Sequence, residues 1–248
     1  MGWRLGILCL AVVLGLAEPR ARAAECANIK GGVATLAQVD AATRLHFIQG
    51  ELRHSARRAR MWTWGWVMAL GTLSGAQLAL LPAYAQDAHV DLYVGAGTAF
   101  VGMASVIILP PSVMADQRRL DAIVRRAPPD ADPCALLADA ERFLVRDAKD
   151  ADPRGRWLLH AGNVLLNLGA GLILGLAFDR WQTAFINGLA GIAIGEVLVL
   201  TRPTDAVSAL LRYRMGELGV PAKVAAIGWG AGVQLDRDRY LLRVGMTF

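Results

Sequence analysis

The sequence predicts a mainly α-helical, polytopic membrane protein with four transmembrane helices, extramembrane amphipathic helices and a C-terminal β-hairpin. Three observations predict this class. Of the 248 residues, 55% are hydrophobic and 19% charged, whereas soluble domains average about 45–50% apolar and about 25% charged residues. Four stretches reach the roughly 20 apolar residues that a membrane span needs. Five of the seven tryptophans lie near the ends of these stretches, at the headgroup level that indole rings favour.

The first 23 residues have the three-part layout of a secretory signal peptide. A positive charge at Arg4 precedes the apolar run 5–17, and Ala21 and Ala23 form a small-residue cleavage pattern. The apolar run is too short for a comfortable span. We therefore expect a signal peptide over 1–23; an uncleaved anchor is the alternative.

The four candidate spans fall into two pairs. They are residues 61–81, 90–109, 157–178 and 181–200. The first two, in the region 61–110, constitute the first transmembrane pair. The last two, in the region 157–200, constitute the second pair. Only Asp179 and Arg180 separate the members of the second pair, which predicts a tight antiparallel hairpin.

The second pair repeats a glycine motif. The pattern N-x-x-A-G-x-x-x-G begins at Asn167 and again at Asn187, 20 residues later. Small residues four apart let helix backbones approach closely in a membrane. We therefore predict helix packing at the four glycines of the two copies, Gly171, Gly175, Gly191 and Gly195. A glycine-lined pore is the alternative.

Polar side chains inside the second pair form the candidate site. They are His160, Asn163 and Asn167 on the third span and Asn187 and Glu196 on the fourth. The first three share one helix face, whereas the last two point to opposite sides of their helix. An ionisable group in a span is a functional candidate, since charge in lipid is costly. The alternatives are purely structural roles. They are hydrogen bonding between helices and, for Glu196, an interfacial ion pair with Arg202 or a loop arginine.

Further elements are predicted outside the membrane. Residues 24–60 have the spacing of an amphipathic helix that runs into the first span, and its basic end suits anionic headgroups. The region 111–156 is predicted to be a solvated helical pair, and 201–219 another amphipathic helix. In 220–248, apolar residues alternate with other residues, which predicts a β-hairpin with one apolar face. An isolated hairpin is marginally stable, so we expect it to dock on a surface.

The three cysteines bear on topology. None forms a CxxC motif or lies at metal-ligand spacing from a histidine, so no metal or cofactor is expected. A cleaved leader places 24–60, 111–156 and 201–248 outside the cytoplasm, where Cys26 and Cys134 could pair under oxidising conditions. This orientation leaves many arginines outside, against the positive-inside tendency. The opposite orientation satisfies that tendency and loses the disulfide. We predict a bacterial-type inner membrane with most extramembrane residues on the periplasmic side.

Catalytic motifs are missing from the sequence, which contains no GxSxG, P-loop, HExxH or helix-opening GxGxxG. We therefore assign no catalytic residue. The net charge of +5, from 26 basic and 21 acidic residues, lacks the aromatic interleaving of a nucleic-acid interface, so nucleic acid is not an expected partner. Membrane lipid is expected, together with another envelope protein or a second copy of the chain.

Three hypotheses for function remain open. The leading one is a non-enzymatic envelope protein that scaffolds or assembles with partners. The alternative is a small channel or transporter subunit that uses the polar face of the third span. A third is a membrane enzyme using His160 and Glu196. A solvent-connected cavity along the polar face would favour transport, whereas occupation of that face by the fourth span would favour scaffolding.

Overall fold

The computed structural model describes residues 26–219 in full and the backbone of 228–236 and 239–247. The α-helices are α1 Ala41–Ala79, α2 His89–Ile108, α3 Val113–Arg126, α4 Pro133–Ala151, α5 Trp157–Leu172, α6 Trp181–Leu200 and α7 Asp205–Arg214. A π-helical turn, Ile173–Ala177, extends α5. Short 3₁₀ helices span Ala34–Gln38, Leu81–Ala83, Gln86–Ala88 and Pro153–Gly155. The predicted signal peptide lies outside the described residues.

Four helical stretches are long and apolar enough to cross a membrane. They are Ala41–Ala83, Gln86–Arg126, Trp157–Ala177 and Trp181–Arg214. Between 11% and 17% of their most apolar windows is buried inside the protein. Apolar helices with so little internal burial are compatible with a lipid environment. The predicted mainly helical class, with four helices able to span a membrane, is confirmed.

Helix α1 joins the membrane to an extramembrane region. Asp40 caps its N-terminus by accepting the Thr43 N–H at 2.8 Å. The 39 residues that follow extend about 58 Å at 1.5 Å per residue, nearly twice the roughly 30 Å of bilayer hydrocarbon. One half of α1 is therefore free to pack outside the membrane.

That outer half of α1 packs with α3, α4 and α7 in what we call the helical subdomain. Its core contains fully buried leucines and isoleucine, namely Ile48, Leu52, Leu120, Leu137 and Leu144. Arg44, itself fully buried, donates from Nε to the Tyr213 hydroxyl at 2.8 Å and from Nη2 to Glu141 at 2.5 Å. Cys26 and Cys134 form a disulfide across 108 residues of sequence. The subdomain is therefore cross-linked covalently.

At the ends of the spans that lie away from the helical subdomain, an ion pair connects α2 to the turn between α5 and α6. Arg180, in the turn between α5 and α6, donates from Nη2 to Asp91 at 2.7 Å. Thr183 donates its hydroxyl to the same carboxylate at 2.9 Å. Asp91 lies in the first turn of α2, so this contact connects the first transmembrane pair to the second on the side away from the helical subdomain.

The chain divides at Gly216 into two compact units. The second unit contains the backbone of two strands, β1 Gly228–Asp236 and β2 Arg239–Thr247, in antiparallel register with Gly228 opposite Thr247. Residues 220–227, 237–238 and 248, and every side chain from 220 onward, lie outside the described part of the chain. A hairpin with an apolar docking face therefore stays a prediction.

Candidate functional site

The polar face of α5 is hydrogen-bonded to α6. Nδ1 of His160 lies 2.5 Å from Oε2 of Glu196. Asn163 donates from Nδ2 to Oε1 of Glu196 at 2.9 Å and to the Ile192 carbonyl at 3.0 Å. Asn167 donates in turn to the carbonyl and side-chain oxygens of Asn163, at 2.9 and 3.0 Å. Four of the five predicted polar residues thus form one continuous network.

Two glycines of α6 provide the space for these amides. A Cβ at Gly195 would lie 1.8 Å from Oδ1 of Asn163, and a Cβ at Gly191 would lie 1.8 Å from Oδ1 of Asn167. Any side chain at either position would displace an asparagine. The glycine motif of α6 therefore faces the asparagines of α5.

The glycines of the α5 motif contact the start of α6. A Cβ at Gly171 would lie 3.3 Å from the Ala184 carbonyl oxygen, and one at Gly175 would lie 2.6 Å from the Trp181 ring. All four predicted packing glycines consequently lie between α5 and α6.

Asn187 and Arg202 do not join the network. Asn187 lies on the side of α6 that faces α1 and α2 across a cavity. The suggested ion pair of Glu196 with Arg202 is wrong, because Arg202 donates from Nη2 to Asp150 at 3.2 Å. Glu196 instead contacts His160 and Asn163, and Arg202 lies two residues beyond the end of α6.

The antiparallel geometry of the hairpin explains which residues meet. Residues about equally far from the 179–180 turn lie opposite each other, as do His160 and Glu196, or Asn163 and Ile192. Counting outward from the two-residue turn pairs Glu196 with Asn163, which it does contact. His160 lies three residues from Asn163, about one helical turn, and so reaches the same carboxylate. The shared motif does not indicate these contacts, since the motif aligns the helices in parallel.

The location of the pair limits its chemistry. His160 is three residues after the start of α5 and Glu196 is four residues before the end of α6. Their side chains are 36% and 31% exposed. An imidazole and a carboxylate at this distance are within reach for proton transfer, and both lie near an end of their helix.

A second cluster, in the helical subdomain, was not predicted. Asp116 and Asp147 are each 1% exposed, which corrects the expectation that 111–156 is a solvated pair. Asp116 accepts from Nε of Arg146 at 2.5 Å, and Asp147 accepts the Ser112 hydroxyl at 2.7 Å. Burial, reinforced by the neighbouring Asp116 carboxyl, raises the pKa of Asp147 to about 7. The equal numbers of acidic and basic residues in this region suggested a solvated surface, and so gave no indication that these two aspartates face inward.

A small cavity of about 20 Å³ adjoins Asp147 and Ser55. Oδ2 of Asp147 and Oγ of Ser55 are buried without a hydrogen-bond partner among the described residues. A cavity of this volume is about the size of one water molecule.

Neither cluster resembles a metal centre. Within residues 26–219, no group of three or more His, Cys, Asp or Glu side chains is arranged to hold an ion. Comparisons of the chain with protein-family models, with curated proteins and with solved structures found no match. The function is therefore inferred from the geometry of the chain itself.

Proposed function

We propose that this protein is a non-enzymatic integral membrane protein of a bacterial-type cell envelope, whose role is assembly with a protein partner. In this proposal the spans anchor the helical subdomain, and the C-terminal residues 220–248 supply the docking hairpin. The partner is another envelope protein or a second copy of the chain.

The observation that carries the proposal is the occupation of the polar face of α5. His160, Asn163 and Asn167 direct their polar atoms to α6 and to each other. A water-filled path along this face would require those groups to face solvent. The network therefore supports a packing role for the face. The observation that favours the alternative of a channel or transporter subunit is the cavity of about 210 Å³ that Asn163, Asn167 and Asn187 line.

The disulfide supports the proposed orientation. Stable disulfides form in oxidising compartments such as the periplasm, and Cys26–Cys134 belongs to the helical subdomain. This supports an orientation with the subdomain in the periplasm, and the proposal adds an inner-membrane location and a cleaved leader.

The experiment compares Leu242→Asn with Leu241→Asn. The two leucines are adjacent, and the alternating pattern predicts that Leu242 alone belongs to the apolar face. We expect the full chain, extracted from membranes in a mild detergent, to migrate in native electrophoresis as a complex larger than its own mass. Leu242→Asn should release the free chain, whereas Leu241→Asn should leave the complex intact. Migration of the unmodified chain as a monomer would contradict the proposal, as would equal behaviour of the two variants.

A further inference from the structure

The two transmembrane pairs are each packed tightly inside. In the first pair, the Ser74 hydroxyl donates to the Ala96 carbonyl at 3.0 Å, and a Cβ at Gly71 would lie 3.2 Å from the Met103 sulfur. The second pair is joined by the asparagine–glycine contacts described above. Each pair is therefore a unit with little internal space.

Between the pairs, the structure leaves a cleft. It consists of a cavity of about 330 Å³ and a second of about 210 Å³. The two cavities share wall residues from three helices, namely Gly102, Asn163, Leu166, Gly195 and Leu198. They are therefore neighbouring parts of one gap.

The larger cavity has the chemistry and the depth of a hydrocarbon site. Its walls are mainly apolar and include Val101, Val106, Leu109, Leu158 and Leu159. Along α5 it extends from Leu158 to Leu166, about 12 Å at 1.5 Å per residue. One leaflet of a bilayer contains about 15 Å of hydrocarbon. An acyl chain from one leaflet fits this depth, whereas water in an apolar cavity lacks hydrogen-bond partners.

The outer end of the larger cavity is formed by Trp62 and Arg202. Trp62 donates its indole N–H to the Thr201 hydroxyl at 3.2 Å, which fixes the ring where headgroups lie. Among residues 26–219, the hydrogen-bond partner of the Arg202 guanidinium is Asp150, which it contacts through Nη2 alone. Nε and Nη1 therefore stay available for a phosphate, which guanidinium groups bind through paired N–H donors.

Arg156 lies close enough to Arg202 for the two cations to repel each other, and Asp150 and Asp152 act on Arg156 with the opposite sign. The case for an anion therefore rests on the free Nε and Nη1 donors of Arg202.

We propose that this cleft binds an anionic phospholipid, with one acyl chain in the larger cavity between the transmembrane pairs and the phosphate on Arg202. The lipid fills the gap between two units that pack poorly against each other, and so joins them.

The proposal is tested by a substitution that fills the larger cavity from a position where a side chain causes no clash. Gly162 lines the larger cavity, and a Cβ there meets nothing within 4 Å. Gly169, two turns further along α5, also has open space around it and lines neither cavity. Gly162→Leu should therefore block the acyl chain, and Gly169→Leu is the matched control. Ser105→Leu fills the same cavity from α2 and provides a second variant.

The full chain is purified in a mild detergent, and bound phosphatidylglycerol is counted by native mass spectrometry during titration. We expect one tightly held lipid in the unmodified chain and in Gly169→Leu. Gly162→Leu and Ser105→Leu should weaken binding at least tenfold while the Cys26–Cys134 disulfide remains intact. Retention of the lipid by both filled variants would overturn the proposal.

A second arm tests the headgroup. Arg202→Gln should abolish any preference for phosphatidylglycerol over phosphatidylcholine, and Arg202→Lys should keep part of that preference because it keeps the charge. Equal binding of the two lipids by the unmodified chain would overturn the preference for an anionic lipid. Equal binding of phosphatidylglycerol by Arg202→Gln and the unmodified chain would overturn the assignment of the phosphate to Arg202.

Discussion

Gly195 has no room for a side chain, because Oδ1 of Asn163 occupies the place of its Cβ. Gly195→Ala should displace the Asn163 amide and break its bonds to Glu196 and the Ile192 carbonyl. Hydrogen bonds between membrane helices contribute about 0.6 kcal/mol each on average, so we expect the unfolding free energy to fall by about 1–2 kcal/mol. Unfolding in mixed detergent micelles measures the change. Gly162→Ala, which projects into open space, is the control and should have no effect; equal losses would refute the interpretation.

Asp147 makes the stability of the helical subdomain depend on pH. Burial raises the pKa of Asp147 to about 7, whereas an aspartate in an unfolded chain titrates near 3.9. Between these values the folded chain holds more protons, so the stabilisation present below about pH 4 is lost as the pH rises through about 7. The charged and titratable groups around it are Asp116, Arg146, Asp150, Arg202 and Asp205.

Asp147→Asn should remove this dependence. We expect the melting temperature of the unmodified chain to fall between pH 5 and pH 8, and the variant to show a flatter profile with its advantage at pH 8. Asn keeps the acceptor for the Ser112 hydroxyl, so the fold is preserved. Asp130→Asn, at an exposed loop position, should follow the unmodified profile. A profile of Asp147→Asn as steep as that of the unmodified chain would show that another group titrates.

At the level of elements, Arg156 connects the start of α5 to the end of α6. Nη1 of this buried side chain donates to the carbonyls of Val199 and Arg202, at 3.1 and 3.2 Å, and Nη2 to that of Ala151 at 2.6 Å. The last carbonyls of a helix lack partners within it and attract positive charge. Arg156 therefore stabilises the end of α6 through charged hydrogen bonds.

Arg156→Gln should leave several of these buried carbonyls without donors. Each buried acceptor that loses its partner costs about 1–3 kcal/mol, and we expect a total loss of about 2–4 kcal/mol. Chemical unfolding of the solubilised chain measures it. Arg154→Gln, two residues away and exposed, is the control; similar losses in both variants would mean that charge alone matters.

For the whole molecule, the disulfide between Cys26 and Cys134 closes a loop of 108 residues. Chain-entropy estimates for a loop of this length give a stabilisation of about 4–5 kcal/mol, so Cys134→Ser should lower the melting temperature substantially.

A membrane-impermeant maleimide should label Cys134 in cells with a permeabilised outer membrane only after reduction. Labelling without reduction, or only after the inner membrane is opened, would contradict the disulfide or the periplasmic orientation.

The sequence predicts the helical elements well, and the reason is local. Hydrophobic length identifies a span, and the 179–180 turn is too short to allow anything but an antiparallel hairpin. The sequence also placed His160, Asn163 and Asn167 on one face, because a helical repeat sets that relation without tertiary contacts. The inward orientation of Asp116 and Asp147 was not predicted, since it depends on how α3 and α4 lie against α1.

Composition and periodicity thus determined by themselves that this chain is helical, that four of its helices can span a membrane, and which residues share a helix face. Tertiary structure alone decided which faces meet. It paired Glu196 with His160 in place of Arg202, buried two aspartates in a charge-balanced region and left an apolar cleft between the two transmembrane pairs. These outcomes depend on the angle and distance between helices, which side-chain packing across the whole molecule sets.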